Sequence, residues 1–153
     1  MSVLGELQPN KVFKYFEEIC SIPHGSRNLQ QISDYLVDFA KAHELKYRQD
    51  EDLNVIIWKD GSKGYEASEP VILQGHMDMV AVKEADCDKD MEKEGLDLEI
   101  NGDYISAKGT SLGGDDGIAV AYTLAVLDDE EMAHPPIEAI FTVNEEIGML
   151  GAA

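Results

Sequence analysis

The stretch Pro70–Val80, PVILQGHMDMV, constrains the fold of this chain more than any other. Val71-Ile72-Leu73 is a short apolar run of the kind that fills a strand buried on both faces, and such strands belong to sheets covered by helices. The run breaks at Gly75 and delivers His76, Met77 and Asp78. An imidazole and a carboxylate two residues apart, held by a core strand, form a rigid start to a metal site. The chain just past such a strand end is also where open α/β sheets bind ligands. The pattern is short, and the same residues fit a hydrogen-bonded histidine followed by a turn.

Bulk properties narrow the partners. A chain of 153 residues builds one core, and 44% hydrophobic residues argue against disorder. The formal net charge of −19 makes nucleic acid and anionic membrane poor partners, since both are polyanions. It draws cations without identifying one. Cys20 and Cys87 form no CxxC or zinc-finger spacing, and sparse thiols fit a reducing compartment. The start, MSVLGELQPNKVF, lacks a secretory pattern, and Ile118–Leu127 is too short to span a bilayer. The expectation is a soluble, cytoplasmic protein.

Pro9 and Asn10 open a helix with Val12, Phe13, Phe16, Ile19 and Cys20 on one stripe, ended by Pro23. His24 follows in a loop, where a hydrogen-bonded histidine is the simpler reading than a ligand. A second helix runs from about Asn28 with Leu29, Ile32, Leu36 and Phe39 inward, to His43-Glu44. Lys46–Gln49 and Asn54–Lys59 form a hairpin across Asp50-Glu51-Asp52, and Asn101-Gly102-Asp103 marks a second between Leu96–Ile100 and Tyr104–Ala107. The acidic segment EADCDKDMEKE, continuing to Asp97, imitates a calcium loop. Such a loop needs glycine sixth and glutamate twelfth, and here those places hold Met91 and Asp97. A solvated charged loop is the better reading.

Two further sites carry acids. The glycine-rich stretch Lys108–Gly117 runs into the apolar helix Ile118–Leu127 without a GxxxxGK[ST] pattern, so it is no phosphate cradle. Asp115 and Asp116 at that helix start repel phosphate and attract a cation. The strand-like run Ile137–Val143 ends in Asn144-Glu145-Glu146-Ile147-Gly148. Neighbouring strand residues point oppositely, so the two glutamates share one site only if the chain turns there.

Together, FEEICSIPHGS, QGHMDMV, KGTSLGGDDGIAVA and FTVNEEIGMLGA resemble the co-catalytic zinc peptidases, the family of aminoacylase, carnosinase and carboxypeptidase G-type enzymes. Within that family the likeness runs to the cytosolic aminoacyl-histidine dipeptidases, over almost the whole chain and in the same order. The resemblance implies His76 as a ligand of one zinc and Asp78 as the group that orients its imidazole. It implies Asp115 as a bridge between two metals, followed by a cis peptide bond, with Glu145 as general base and Glu146 as a ligand of the second zinc. Two ions roughly 3.5–4 Å apart activate a water and polarise the scissile carbonyl. The implied cofactor is therefore a pair of Zn2+ ions, with Mn2+ or Co2+ able to fill the same donors.

The implied fold is an α/β three-layer sandwich with a mixed central sheet, present here as residues 1–153, the N-terminal part of the catalytic domain. Some strand edges or apolar faces are then expected to lack partners. The family's remaining carboxylate and histidine ligands and its lid domain have no counterpart in these residues, so the fragment alone is expected to be nearly inactive. Where the family has glycine before the asparagine of the first hairpin, this chain has Leu53. The implied function is hydrolysis of small dipeptides, aminoacyl-histidine among them, by an enzyme that can be a homodimer when complete. The alternatives are a deacylase of N-acyl amino acids using the same site, and a non-catalytic acidic cation-binding module centred on Asp86–Asp97.

Overall fold

A computed structural model describes residues 2–152. The helices are α1 (Asn10–Cys20), α2 (Gln30–Ala42) and α3 (Gly114–Leu127). The strands are β1 (Lys46–Gln49), β2 (Val55–Lys59), β3 (Val71–His76), β4 (Leu98–Asn101), β5 (Tyr104–Ala107) and β6 (Ile137–Thr142). The main sheet is mixed, in the order β1-β2-β6-β3, and β4-β5 forms a separate hairpin. β1, β2 and β6 pair antiparallel, whereas β3 lies parallel to β6. This is an α/β fold, a mixed sheet flanked by helices.

Periodicity explains the elements. The α1 stripe buries Val12, Tyr15, Phe16, Ile19 and Cys20, and α2 buries Ile32, Leu36, Phe39 and Ala40. Phe13 packs only partly against the core, and Tyr15, which the spacing by threes and fours passed over, takes the interior place. Helix α3 is apolar almost all round because it is wedged between α1 and β3. The strands alternate: Val55, Ile57, Ala139 and Phe141 are fully buried, while Ile56, Trp58, Glu138 and Ile140 between them are half-buried. Each large side chain in that core stabilises the fold by roughly 1.5–3 kcal/mol relative to exposure.

Strand β3 departs from expectation. A strand buried on both faces would hide Val71 and Ile72, yet they are 44% and 59% exposed. The reason is position: β3 pairs with β6 alone and is an edge of the sheet. Only Gly75 and His76, at its end, are buried. Leu53 turns the first hairpin with φ +75, the left-handed region that glycine enters without steric cost.

The parallel pairing of β3 with β6 decides which side chains can meet at the end of the sheet. His76 is in register with Thr142, so the two strands end side by side. Both strands therefore deliver their next residues to the same rim of the sheet, and the start of α3 sits against it: the Asp116 carboxylate accepts a hydrogen bond from the His76 backbone N–H at 3.3 Å.

Candidate metal centre

His76 is 7% exposed, and its ring is held from both sides. Nδ1 lies 2.9 Å from the Asp78 carbonyl oxygen, so Nδ1 carries the proton and donates it there. Nε2 faces the acids, 3.1 Å from Asp115 Oδ1 and 3.8 Å from Glu145 Oε2, donating to Asp115 when protonated and offering a lone pair where a cation takes the proton's place. Burial by itself pushes the imidazole pKa down. The hydrogen bond to Asp115, the charge and carbonyl of Asp78 and the charge of Asp116 outweigh it, and the pKa ends raised.

Asp115 reaches this point because α3 does not begin as a regular helix. Gly113 enters with φ +70, and a Cβ there would fall 2.9 Å from Met79 Sδ. Asp115 and Asp116 keep non-helical backbone angles, and the peptide bond between them is cis. Asp115 projects to solvent, its side chain 86% exposed, while Asp116 turns inward. Burial first, and then the charges of Asp115 and Glu145, raise the Asp116 pKa against the opposing pull of His76.

The two glutamates enter by a turn. Asn144 is left-handed at φ 53, and Glu145–Ile147 forms a single 3-10 turn. The extended-strand problem, two neighbours facing opposite ways, disappears. Side-chain donors of His76, Asp115 and Glu146 lie within 4.8 Å of one another. One imidazole nitrogen and two carboxylate oxygens, with balancing charge, form a donor set that suits zinc, manganese or cobalt. His76 and Asp115 open into a cavity of about 740 Å3 that Glu145, Gln74, Ile140 and Thr142 also line, while Glu146 borders a separate hollow with Ser26 and Met79.

Other candidates lie elsewhere. His24 is buried, with Nδ1 2.6 Å from the Ile22 carbonyl oxygen, and burial lowers its pKa. It is absent from the cluster. In the acidic segment, Asp90 pairs with Lys93 at 2.8 Å and Asp97 with Lys89 at 3.1 Å, and no three acids there converge among the described residues. The sequence alone assigns Asn144 and Ser26 no role, and Asp116 one only jointly with Asp115, as an acid that attracts a cation at the helix start. Asn144 was the one with a local signal, because asparagine tolerates the left-handed conformation that reverses a chain.

No protein-family model matches the chain. It is 41% identical over 152 residues to the cytosol non-specific dipeptidase of Escherichia coli K12, an alignment covering 99% of this chain and 31% of that protein. The crystal structure of aminoacylhistidine dipeptidase from Vibrio alginolyticus superposes with a TM-score of 0.94 at 40% identity, covering 97% of this chain and 30% of that one. A tripeptidase from Staphylococcus aureus superposes with a TM-score of 0.76 at 25% identity, covering 97% and 40%. The chain thus spans about a third of the length of these relatives. Among its described residues no helix is long and apolar enough to cross a membrane.

Proposed function

From the premise that this chain is homologous to the zinc dipeptidases that include aminoacylhistidine dipeptidase, we propose that residues 1–153 contribute the first part of a metallodipeptidase catalytic domain. The observation that carries this reading is electrostatic. Asp115, Asp116, Glu145 and Glu146 crowd around one histidine, and no lysine or arginine among the described residues forms an ion pair with any of them. Two carboxylates at 4.8 Å repel by roughly 1 kcal/mol in bulk water and 3 kcal/mol at an effective dielectric near 20. Bound divalent cations turn that repulsion into attraction.

In this reading His76, Asp115 and Glu146 are the residues that would hold a pair of zinc ions. Bound zinc supplies a Lewis acid that makes water nucleophilic at neutral pH. Glu145 is then the carboxylate left over. Its Oε2 takes the proton of the attacking water as the new C–O bond forms, and passes it to the amide nitrogen as the C–N bond breaks. Asp78 fixes the imidazole through its own carbonyl, which keeps Nε2 turned outward.

The substrate class proposed is the small dipeptide, aminoacyl-histidine among them. A hydrolysis panel of dipeptides and N-acyl amino acids tests this. Cleavage of dipeptides with N-acyl amino acids spared supports it, and the reverse pattern replaces it with a deacylase. Saturable calcium binding that survives Asp115→Ala, with no zinc binding at all, would leave only an acidic binding module.

A further inference from the structure

Asp78 is 1% exposed, and most of its carboxylate contacts do not go to His76. The imidazole Nδ1 is 3.4 Å from Asp78 Oδ1, longer than its bond to the Asp78 carbonyl. The carboxylate instead accepts the backbone N–H of Glu145 at 2.9 Å, the backbone N–H of Glu146 at 3.3 Å and the hydroxyl of Ser26 at 2.7 Å. Two successive N–H groups reach the two oxygens of one carboxylate, Glu145 to Oδ1 and Glu146 to Oδ2, only where the chain has turned. The left-handed Asn144 and the 3-10 turn after it provide that bend.

The loop carrying Ser26 is itself tied to both partners. Its Ser26 N–H donates to the Met79 carbonyl at 3.2 Å, and Gly25 bridges to Met79. On the other side the Arg27 N–H donates to Asn144 Oδ1 at 2.8 Å. A Cβ on Gly25 would stand 2.7 Å from the Ala81 Cβ, so the loop lies tightly against the chain beyond Asp78. Three segments far apart in sequence are thereby fastened at one buried carboxylate.

We propose that Ser26 and Asp78 are positioning residues that set Glu145 and Glu146 in their places, Ser26 acting through Asp78 and Asp78 through the two backbone N–H groups. The inference rests on the metal site proposed above. It assigns Ser26 a part in the site although the hydroxyl is not among the candidate ligands. Asp78 acquires a second task besides its hold on His76. Loss of an outer hydrogen bond of this kind typically costs 10–100-fold in metal affinity.

A double-mutant cycle on the whole protein tests it, with zinc affinity read by competition against a chromogenic chelator and Co2+ absorption as a second readout. Ser26→Ala should weaken zinc about tenfold and alter the Co2+ spectrum, while Ser26→Thr, which keeps the hydroxyl, stays near wild type. In a Glu146→Gln background Ser26→Ala should cost less than twofold, because the ligand it positions is already gone. Asp78→Asn should behave like Ser26→Ala but more severely. An unchanged affinity in Ser26→Ala, or an equal loss in both backgrounds, overturns the inference and leaves the metal site standing. If wild type binds no zinc, or Glu146→Gln binds it as wild type does, the site itself falls and the inference with it.

Discussion

Two regions of this molecule are rich in acids, and they have resolved their charge in opposite ways. In the segment 84–97 three carboxylates find partners close by, and others such as Asp86 and Asp88 stand in solvent. Lys93 bonds Asp90, Lys89 bonds Asp97, and the Asp90 N–H donates to Glu94. The Lys93 hydrogen bond, with the N–H of Glu92, holds the Asp90 pKa below the usual carboxylate range. At the rim of the sheet the shift runs the other way: burial and two neighbouring acids push Asp116 up. In the segment, Asp90 and Asp97 are neutralised by its own lysines. At the rim the acids meet a histidine and no lysine or arginine among the described residues, the arrangement on which the proposed metal site rests, and what separates the two is the tertiary placement of short motifs at adjoining strand ends, not the density of acid.

The largest effect that could break this contrast is loss of the rim's metal affinity. His76→Ala and Asp115→Ala should each weaken zinc binding by 100-fold or more, about 3 kcal/mol, measured by chelator competition at fixed ionic strength. Weakening of less than threefold in both would mean that zinc binds elsewhere, and the contrast between the two regions would be lost.

A smaller effect concerns how the rim is built. A Cβ on Gly75 would lie 3.2 Å from Asp116 Oδ2, 3.5 Å from the Ala119 Cβ and 3.6 Å from Val120 Cγ2. Gly75→Ala therefore presses on the carboxylate that receives the His76 N–H. It should destabilise the chain by about 1–2 kcal/mol in urea unfolding and weaken zinc several-fold. Destabilisation with unaltered zinc affinity would show that Asp116 and the close approach serve packing alone.

Much of this was readable from residue order because most elements are local. Threefold and fourfold spacing mark α1 and α2, a period of two marks β1 and β2, an apolar run marks β6, and Asn101-Gly102 marks the turn between β4 and β5. The site motifs stood out because each sits where an apolar run stops. Neighbour relations were harder to read. An apolar run such as Val71-Ile72-Leu73 has the same composition at the centre of a sheet as at its edge, and the edge position of β3 depends on which strand β6 pairs with, more than sixty residues later. Ser26 and Asp78, or Arg27 and Asn144, meet across 52 and 117 residues, a separation no periodicity encodes.

The smallest effect is expected in the acidic segment, and its smallness is the point. Asp86 and Asp88 are exposed there, and neither belongs to the convergent cluster. Their influence on a cation at the rim is long-range Coulomb attraction through water. At 0.15 M salt such attraction fades within about 8 Å, so it contributes to the field of a chain with net charge −19 but not to a particular site. Asp86→Asn combined with Asp88→Asn should therefore change zinc affinity less than twofold at 0.15 M sodium chloride, and somewhat more at 10 mM, where the attraction carries to about 30 Å. A calcium titration of the same variant and of wild type should give equally weak, unsaturable signals. Tenfold weakening at 0.15 M, or a saturable calcium isotherm lost in the variant, would put a cation site in the segment after all, and local lysines would no longer explain how its acids are satisfied.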